Sequence, residues 1–161
     1  MTTERTQTLV RLTALDAILL TVACLVPVAS HMLALPLYML NPMLAMLLAG
    51  MLVGRDWRNS LLLAVLLPAV SCLVTGMPAA DKMVCMMAEL ATVAGLFGWL
   101  KDRMGATFAV FAAIVAGKVV YYALKAVVVA PAVLVGTDWK VQLLAVLLWG
   151  GLFAMLYKRL K

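Results

Sequence analysis

Apolar residues dominate six stretches of this chain, and most polar and charged residues lie in the short segments between them. An apolar run of about 20 residues can cross the hydrocarbon layer of a membrane as an α-helix. The pattern therefore predicts an all-α, polytopic membrane protein that forms one domain with six transmembrane helices. The predicted spans are residues 12–28, 36–53, 60–74, 82–100, 106–133 and 141–157.

The composition supports a membrane domain and disfavours several other classes of protein. Hydrophobic residues make up 66% of the 161 residues, and the mean hydropathy is +1.10. A soluble domain of this length does not need so large an apolar share. The formal net charge of +6 does not indicate a nucleic-acid-binding protein, because the basic residues cluster at the ends of predicted spans. All three cysteines fall inside apolar runs, so no disulfide framework is predicted.

Twelve methionines raise the question of a soft-metal site. Met83, Met86 and Met87 flank Cys85, and sulfur ligands suit Cu(I). However, methionine is also an ordinary filler of helix packing, and no paired spacing of Met or Cys recurs along the chain. We therefore predict neither a metal site nor a cofactor.

Basic residues are distributed unequally between the two sides of the predicted bundle. One side carries nine of them, whereas the other carries Lys82 and Lys140 together with His31. Because cytoplasmic loops are enriched in Lys and Arg, this asymmetry predicts that both termini are cytoplasmic. The first twelve residues lack a small-residue cleavage pattern and are interpreted as a cytoplasmic leader, not a removed signal peptide. The nine basic residues are Arg5, Arg11, Arg55, Arg58, Lys101, Arg103, Lys158, Arg159 and Lys161.

Two opposite charges are predicted to lie at the same depth inside the apolar spans. At 1.5 Å per residue, Glu89 lies about 18 Å from Lys101, and Lys118 lies about 19 Å from Gly105. A lone charge in hydrocarbon costs about 2.5–3.5 kcal/mol even on the mildest scale. Such charges are therefore expected to pair, to face water or to meet a ligand. If the facing sides of the two neighbouring antiparallel helices meet, Glu89 pairs with Lys118.

A second group of candidate residues shares one face of the predicted fifth helix. Lys118, Tyr121, Tyr122 and Lys125 are spaced as i, i+3, i+4 and i+7, and Lys125 has no acidic residue near its depth except Asp81. In one interpretation the ion pair only fixes helix packing, and Lys125 extends toward the membrane surface. In the other, this face lines a cavity that opens outward and holds a polar or anionic ligand.

Motifs of several enzyme classes are missing from the sequence. There is no glycine-rich Walker sequence, no Gly-x-Ser-x-Gly motif and no His-Glu-x-x-His motif. The single histidine, His31, lies in a predicted outer loop between Pro27 and Pro36, which we expect to form a structured cap. No complete catalytic set can be assembled, so we predict that the protein is not an enzyme.

Three segments resemble the substrate-binding S components of energy-coupling factor (ECF) transporters, the small membrane subunits of bacterial vitamin importers. Residues 42–54 resemble the second span of that family, with its Leu-Ala-Gly and Gly pattern. Residues 87–96 are similar to its Glu-Leu-Ala-x-x-x-x-Gly-Leu fourth span, with three residues in place of four between Ala91 and Gly95. Residues 116–122 resemble a Gly-Arg-Ile-Val-Tyr pattern in its fifth span, with Lys118 at the position of the arginine. Together with the size and the six spans, the likeness covers most of residues 12–157.

The resemblance implies a vitamin-like ligand, held near the outer face and roofed by the first outer loop. It further implies a bacterial cytoplasmic membrane, a transmembrane scaffold subunit that docks on the first span at Thr13, Ala17 and Thr21, and two ATPase subunits that drive uptake. Two alternatives remain: an accessory or structural membrane subunit without a ligand, and a standalone carrier of small solutes. The candidate ligand-binding residues are Ser30, His31, Tyr38, Asn41, Glu89, Lys118, Tyr121, Tyr122, Lys125 and Gln142.

Overall fold

The computed structural model describes residues 2–32, 41–54, 56–128 and 139–160, with the side chains of residues 2–5 and 31 left out. All regular secondary structure in the described residues is α-helical, which confirms the all-α prediction. The helices are α1 (Thr2–Met32), α2 (Pro42–Gly54), α3 (Trp57–Thr75), α4 (Ala80–Met104), α5 (Ala106–Val128) and α6 (Trp139–Leu160).

Five of these helices, α1 and α3 to α6, are long and apolar enough to cross a membrane. The chain is therefore a multi-pass membrane protein. The sixth helix, α2, is also apolar but has only 13 residues, so it extends about 20 Å, less than the roughly 30 Å of a hydrocarbon layer.

The helix bounds correct two of the predictions. The predicted second span, 36–53, is wrong at its start, because Asn41 is not helical and α2 begins at Pro42; residues 33–40 lie outside the described part. The predicted break after Val28 is also wrong, since Pro27 lies inside α1 and the helix continues to Met32. A long helix can accommodate one proline with a local kink.

Short local signals fix the turns at the ends of α3 and α4. The Asp56 carboxylate accepts a hydrogen bond from the Arg58 backbone N–H at 3.0 Å and so caps the start of α3. Gly76 ends α3 with a φ of 71°, a left-handed conformation that glycine adopts without steric cost. These signals place α3 and α4 as antiparallel neighbours joined by a short turn.

Helix α4 lies at the centre of the bundle, against α3, α5 and α2. Gly117 lets α5 approach α4 closely, because a Cβ atom there would lie 2.7 Å from Val93 Cγ2 and 3.0 Å from the Glu89 carbonyl oxygen. Leu90, Val93 and Ile114, which lie around this contact, are completely buried. Tight α4–α5 packing thus sets the position of the buried charges that these helices carry.

The start of α1 and the end of α6 lie at the same end of the bundle. Leu12 approaches Gly54 at the end of α2, and the ring of Tyr157 lies 6.0 Å from that of Phe97 in the second half of α4. This end, called the basic end below, carries Arg58, Lys101, Arg103, Lys158 and Arg159. The opposite end carries the α3–α4 turn and the start of α6.

Candidate functional site

Helix α2 begins inside the bundle, at the dipeptide Asn41–Pro42. Asn41 has a φ of 50°, a left-handed conformation that asparagine tolerates better than most residues, and its side-chain oxygen accepts a hydrogen bond from the Leu44 backbone N–H at 3.3 Å. Proline disfavours a helical conformation in the residue before it and is well suited to the first helical position. The local sequence therefore starts a helix about 20 Å from the basic end, at a depth within the membrane.

The start of α2 meets the predicted ion pair. Lys118 Nζ lies 2.9 Å from Glu89 Oε1, which confirms the predicted contact between α4 and α5. The Asn41 side-chain amide donates a hydrogen bond of 3.0 Å to the same carboxylate oxygen. Glu89 is 2% exposed and Lys118 is 12% exposed. These three residues, called the polar centre below, join α2, α4 and α5 at one point.

The polar centre is balanced in charge and in hydrogen bonding. An isolated ion is expensive in a low-dielectric interior, and only close pairing with additional hydrogen bonds offsets that cost. Within the described residues, no buried side-chain nitrogen or oxygen lacks a hydrogen-bond partner. Asn41, the residue that caps the N-terminus of α2, contacts the Glu89 carboxylate, and helix N-termini favour negative charge. The centre therefore holds together without a bound ion.

Aromatic rings extend from the polar centre toward the end opposite the basic end. The ring centroids of Tyr121 and Tyr122 are 5.1 Å apart, and that of Tyr122 is 4.7 Å from the Trp139 ring at the start of α6. Lys118 Nζ lies 5.8 Å from the Tyr121 centroid. These three rings, called the aromatic strip below, form an unbroken row beside the buried charges, with Tyr121 and Tyr122 packed edge to face and Trp139 tilted against Tyr122.

Lys125 lies on the aromatic strip, seven residues and about 10 Å beyond Lys118 along α5. Its Nζ is 5.5 Å from the Tyr121 centroid and 6.0 Å from that of Tyr122, a geometry that permits cation–π attraction. Among the side chains that the structure describes, it forms no ion pair with a carboxylate. Since Lys118 neutralises Glu89, the polar centre and strip together carry one net positive charge.

The structure brings six of the predicted ligand-binding residues together: Asn41, Glu89, Lys118, Tyr121, Tyr122 and Lys125. Ser30 is buried near the end of α1, and Gln142 is half-buried in the first turn of α6 without a described hydrogen bond to the polar centre. The side chain of His31 and all of Tyr38 lie outside the described residues. They remain predictions.

Two features of the site were missed by sequence reasoning. Sequence reasoning did not connect Trp139 with the predicted face of α5, but its ring packs on Tyr122 and completes the aromatic strip. Asn41 was named, but the start of a helix directly after it was not predicted. The signal was present, since an Asn-Pro pair inside an apolar run favours a helix start over a helix interior.

The predicted docking residues Thr13, Ala17 and Thr21 are all exposed on one face of α1. The Thr13 hydroxyl donates to the Leu9 carbonyl oxygen at 2.9 Å, and the Thr21 hydroxyl donates to that of Ala17 at 2.8 Å. Because both hydroxyls are satisfied within the helix, this face offers small side chains and no unpaired polar group to a neighbouring helix.

The chain was compared with known proteins at three levels. No protein-family model, no curated protein and no solved structure matches it. Its function is therefore argued from its own residues and their geometry.

Proposed function

We propose that this chain is the substrate-binding membrane subunit of an ECF-type importer and captures a vitamin or a related small metabolite. The observation that carries the proposal is the start of a half-length helix at a buried Asn–Glu–Lys centre. Irregular backbone at membrane depth is tolerated where it is buried in protein or lines a cavity, and interrupted helices are typical of substrate sites in transporters. Ionisable residues inside the membrane mark substrate pathways by default.

The charge and shape of the site favour a ligand with a flat ring and an anionic group. The aromatic strip offers exposed ring surface at Trp139, and Lys125 adds a positive charge that no described carboxylate neutralises. A carboxylate or phosphate placed near Lys125 would complete the charge balance of the site. Pantothenate-like and pterin-like compounds satisfy parts of this description.

The same proposal assigns the orientation and the partners of the subunit. The excess of basic residues at the end that holds both termini favours a cytoplasmic location for that end, in a bacterial cytoplasmic membrane. The exposed small-residue face of α1 would receive the transmembrane scaffold subunit, which in turn carries two ATPase subunits. Substrate would then enter from the opposite end, where Lys125 and Trp139 lie.

The test is thermal unfolding of the detergent-purified protein against a panel of water-soluble vitamins and their precursors. A ligand at 100 times its dissociation constant adds about 2.7 kcal/mol to the free energy of unfolding. One compound should raise the midpoint, and its effect should be weaker in Lys125→Ala and unchanged in the control Lys158→Ala, at the opposite end of the bundle. A panel with no stabilising compound would contradict the proposal. An unchanged affinity in Lys125→Ala would refute only the inference that the ligand is anionic, and not the binding function itself.

The closed geometry of the polar centre favours a second candidate, an accessory membrane subunit without a small-molecule ligand. Every described buried polar side-chain atom already has a partner, as expected for a centre that only fixes packing. In that case, variants of Glu89 and Lys118 would lose stability, but no small molecule would stabilise the wild-type protein. Uptake into liposomes without any ATPase would instead indicate a standalone carrier.

A further inference from the structure

At the basic end, the guanidinium group of an arginine lies near the ring of each of two exposed tryptophans. Trp57, at the start of α3, is 52% exposed, and Trp99, near the end of α4, is 56% exposed. The Arg58 guanidinium lies 5.7 Å from the Trp57 ring centroid, and that of Arg103 lies 4.4 Å from the Trp99 centroid. The two guanidinium cations therefore lie close to the depth of the indole rings, one on α3 and one on α4.

The two tryptophans flank a shallow seam between α3 and α4. A Cβ atom on Gly98 would lie 3.3 Å from Trp57 Cβ, so Trp57 packs directly against α4 at this glycine. One turn away, half-buried Gly95 has only Leu61 Cδ2 near the position of an added Cβ, at 4.0 Å. Gly98 therefore admits Trp57, and Gly95 leaves a lowered apolar surface, called the apolar track below, on α4 beside exposed Trp99.

A small cleft adjoins this seam at the basic end. The cleft has a volume of about 90 Å³. Trp57 and Gly98, which form part of the seam, also line the cleft. Lys101 and Asp56 also line it, but no described ion pair joins them. The Asp56 carboxylate is engaged as the cap of α3. The other residues that line the cleft are Met51, Ser60, Ala94, Phe97 and Tyr157.

The charged residues that the structure describes at the basic ends of α3 and α4 sum to one positive charge. Arg58, Lys101 and Arg103 contribute three positive charges, and Asp56 and Asp102 contribute two negative ones. Arginine binds phosphate with two parallel hydrogen bonds while its planar group stacks on an aromatic ring. A single phosphate of one negative charge would therefore match both the net charge and the chemistry of the two stacked arginines.

We propose that the α3–α4 seam is a binding site for an anionic glycerophospholipid. Its phosphate contacts the guanidinium groups of Arg58 and Arg103, and an acyl chain follows the apolar track over Leu61 and Gly95. A lipid fits better than a soluble anion, because exposed tryptophans are typical of the headgroup level and the track leads from the cations into the apolar part of the bundle. The site is independent of the polar centre, so it stands or falls separately from the proposed transport function.

The experiment measures thermal unfolding of the detergent-purified protein during titration with dioctanoyl phosphatidylglycerol. We expect a saturable rise in the midpoint, and no comparable rise with dioctanoyl phosphatidylcholine or inorganic phosphate. The double variant Arg58→Gln/Arg103→Gln should bind phosphatidylglycerol about 30-fold more weakly, the combined effect of two basic groups at a membrane surface. The control Arg159→Gln changes a basic residue at the end of α6 and should leave the titration unchanged.

Four results would overturn the proposal. Equal stabilisation by phosphatidylcholine would mean that only the acyl chains are recognised. Equal stabilisation by inorganic phosphate would indicate a site for a soluble anion. Equal weakening in Arg159→Gln would indicate a diffuse surface charge, and an unchanged titration in the double variant would place the lipid elsewhere. Because all three arginines are exposed, the variants should fold, and native mass spectrometry of retained phosphatidylglycerol gives a second readout.

Discussion

Replacing Lys118 with methionine removes the cation of the polar centre while keeping a long apolar side chain in its place. Glu89, which is 2% exposed, would then be left with the Asn41 amide as its described partner. Removing one member of a buried ion pair typically costs about 3–5 kcal/mol, because the other charge remains desolvated and uncompensated. We expect a loss of this size in the free energy of unfolding.

The double variant Glu89→Gln/Lys118→Met distinguishes two contributions to the free energy of unfolding. One is the net stability that the ion pair adds, and the other is the penalty of leaving one buried charge without its partner. Both charges are then absent, and the Asn41 amide can still donate to the side-chain oxygen at position 89. Replacing both partners of a buried polar pair is often close to neutral. The double variant should therefore recover most of the stability that Lys118→Met loses.

The assay is reversible unfolding in mixed micelles, followed by tryptophan fluorescence and circular dichroism. Lys82→Met is the control, because Lys82 is exposed and forms no described ion pair, and it should unfold like the wild type. The reasoning is refuted if Lys118→Met loses less than about 1 kcal/mol, the value typical of an exposed ion pair. It is also refuted if the double variant is no more stable than Lys118→Met.

Two further predictions concern the backbone around the polar centre, and both are checked by the same unfolding assay. Asn41→Ala removes the cap of α2 and a hydrogen bond to a carboxylate, so it should lower the free energy of unfolding by about 3 kcal/mol. Asn41→Asp keeps the cap but places a second carboxylate beside Glu89, so it should not restore the lost stability. Gly117→Ala would bring a Cβ atom to 2.7 Å from Val93 Cγ2 and should cost about 1–3 kcal/mol through overpacking. Gly151→Ala has nothing within 4 Å of the added atom and should not destabilise the protein; equal losses at both glycines would contradict the packing argument.

The long apolar helices were predictable because hydrophobic periodicity and charge are strong signals in a membrane protein. The Glu89–Lys118 contact was also predictable, since two charges at equal depth on consecutive antiparallel helices have few other partners. The start of α2 was not predicted, because hydropathy averages over a window and Asn41 is one polar residue in an apolar run. Its effect arises from local backbone chemistry, which a hydropathy profile does not represent.

Apart from the Glu89–Lys118 pair, side-chain contacts between packed helices were predicted least well. The packing of Trp139 on Tyr122 depends on how α6 lies against α5, and no sequence spacing relates two helices joined by a long connection. The same limit applies to the seam at the basic end. Gly95, Gly98 and Trp57 form it only because α3 and α4 pack in one particular register. Register between helices is set by the whole interface and not by one local signal.

The most direct test of the central claim compares ligand binding in the wild-type protein and in Glu89→Gln/Lys118→Met. A compound that stabilises the wild type would first be identified, and its dissociation constant would then be measured by isothermal titration for both proteins. If the polar centre forms part of the ligand site, the double variant should remain folded and bind the compound at least about tenfold more weakly, a loss of roughly 1.4 kcal/mol. Equal affinity in the two proteins would show that the centre only fixes the packing of α2, α4 and α5.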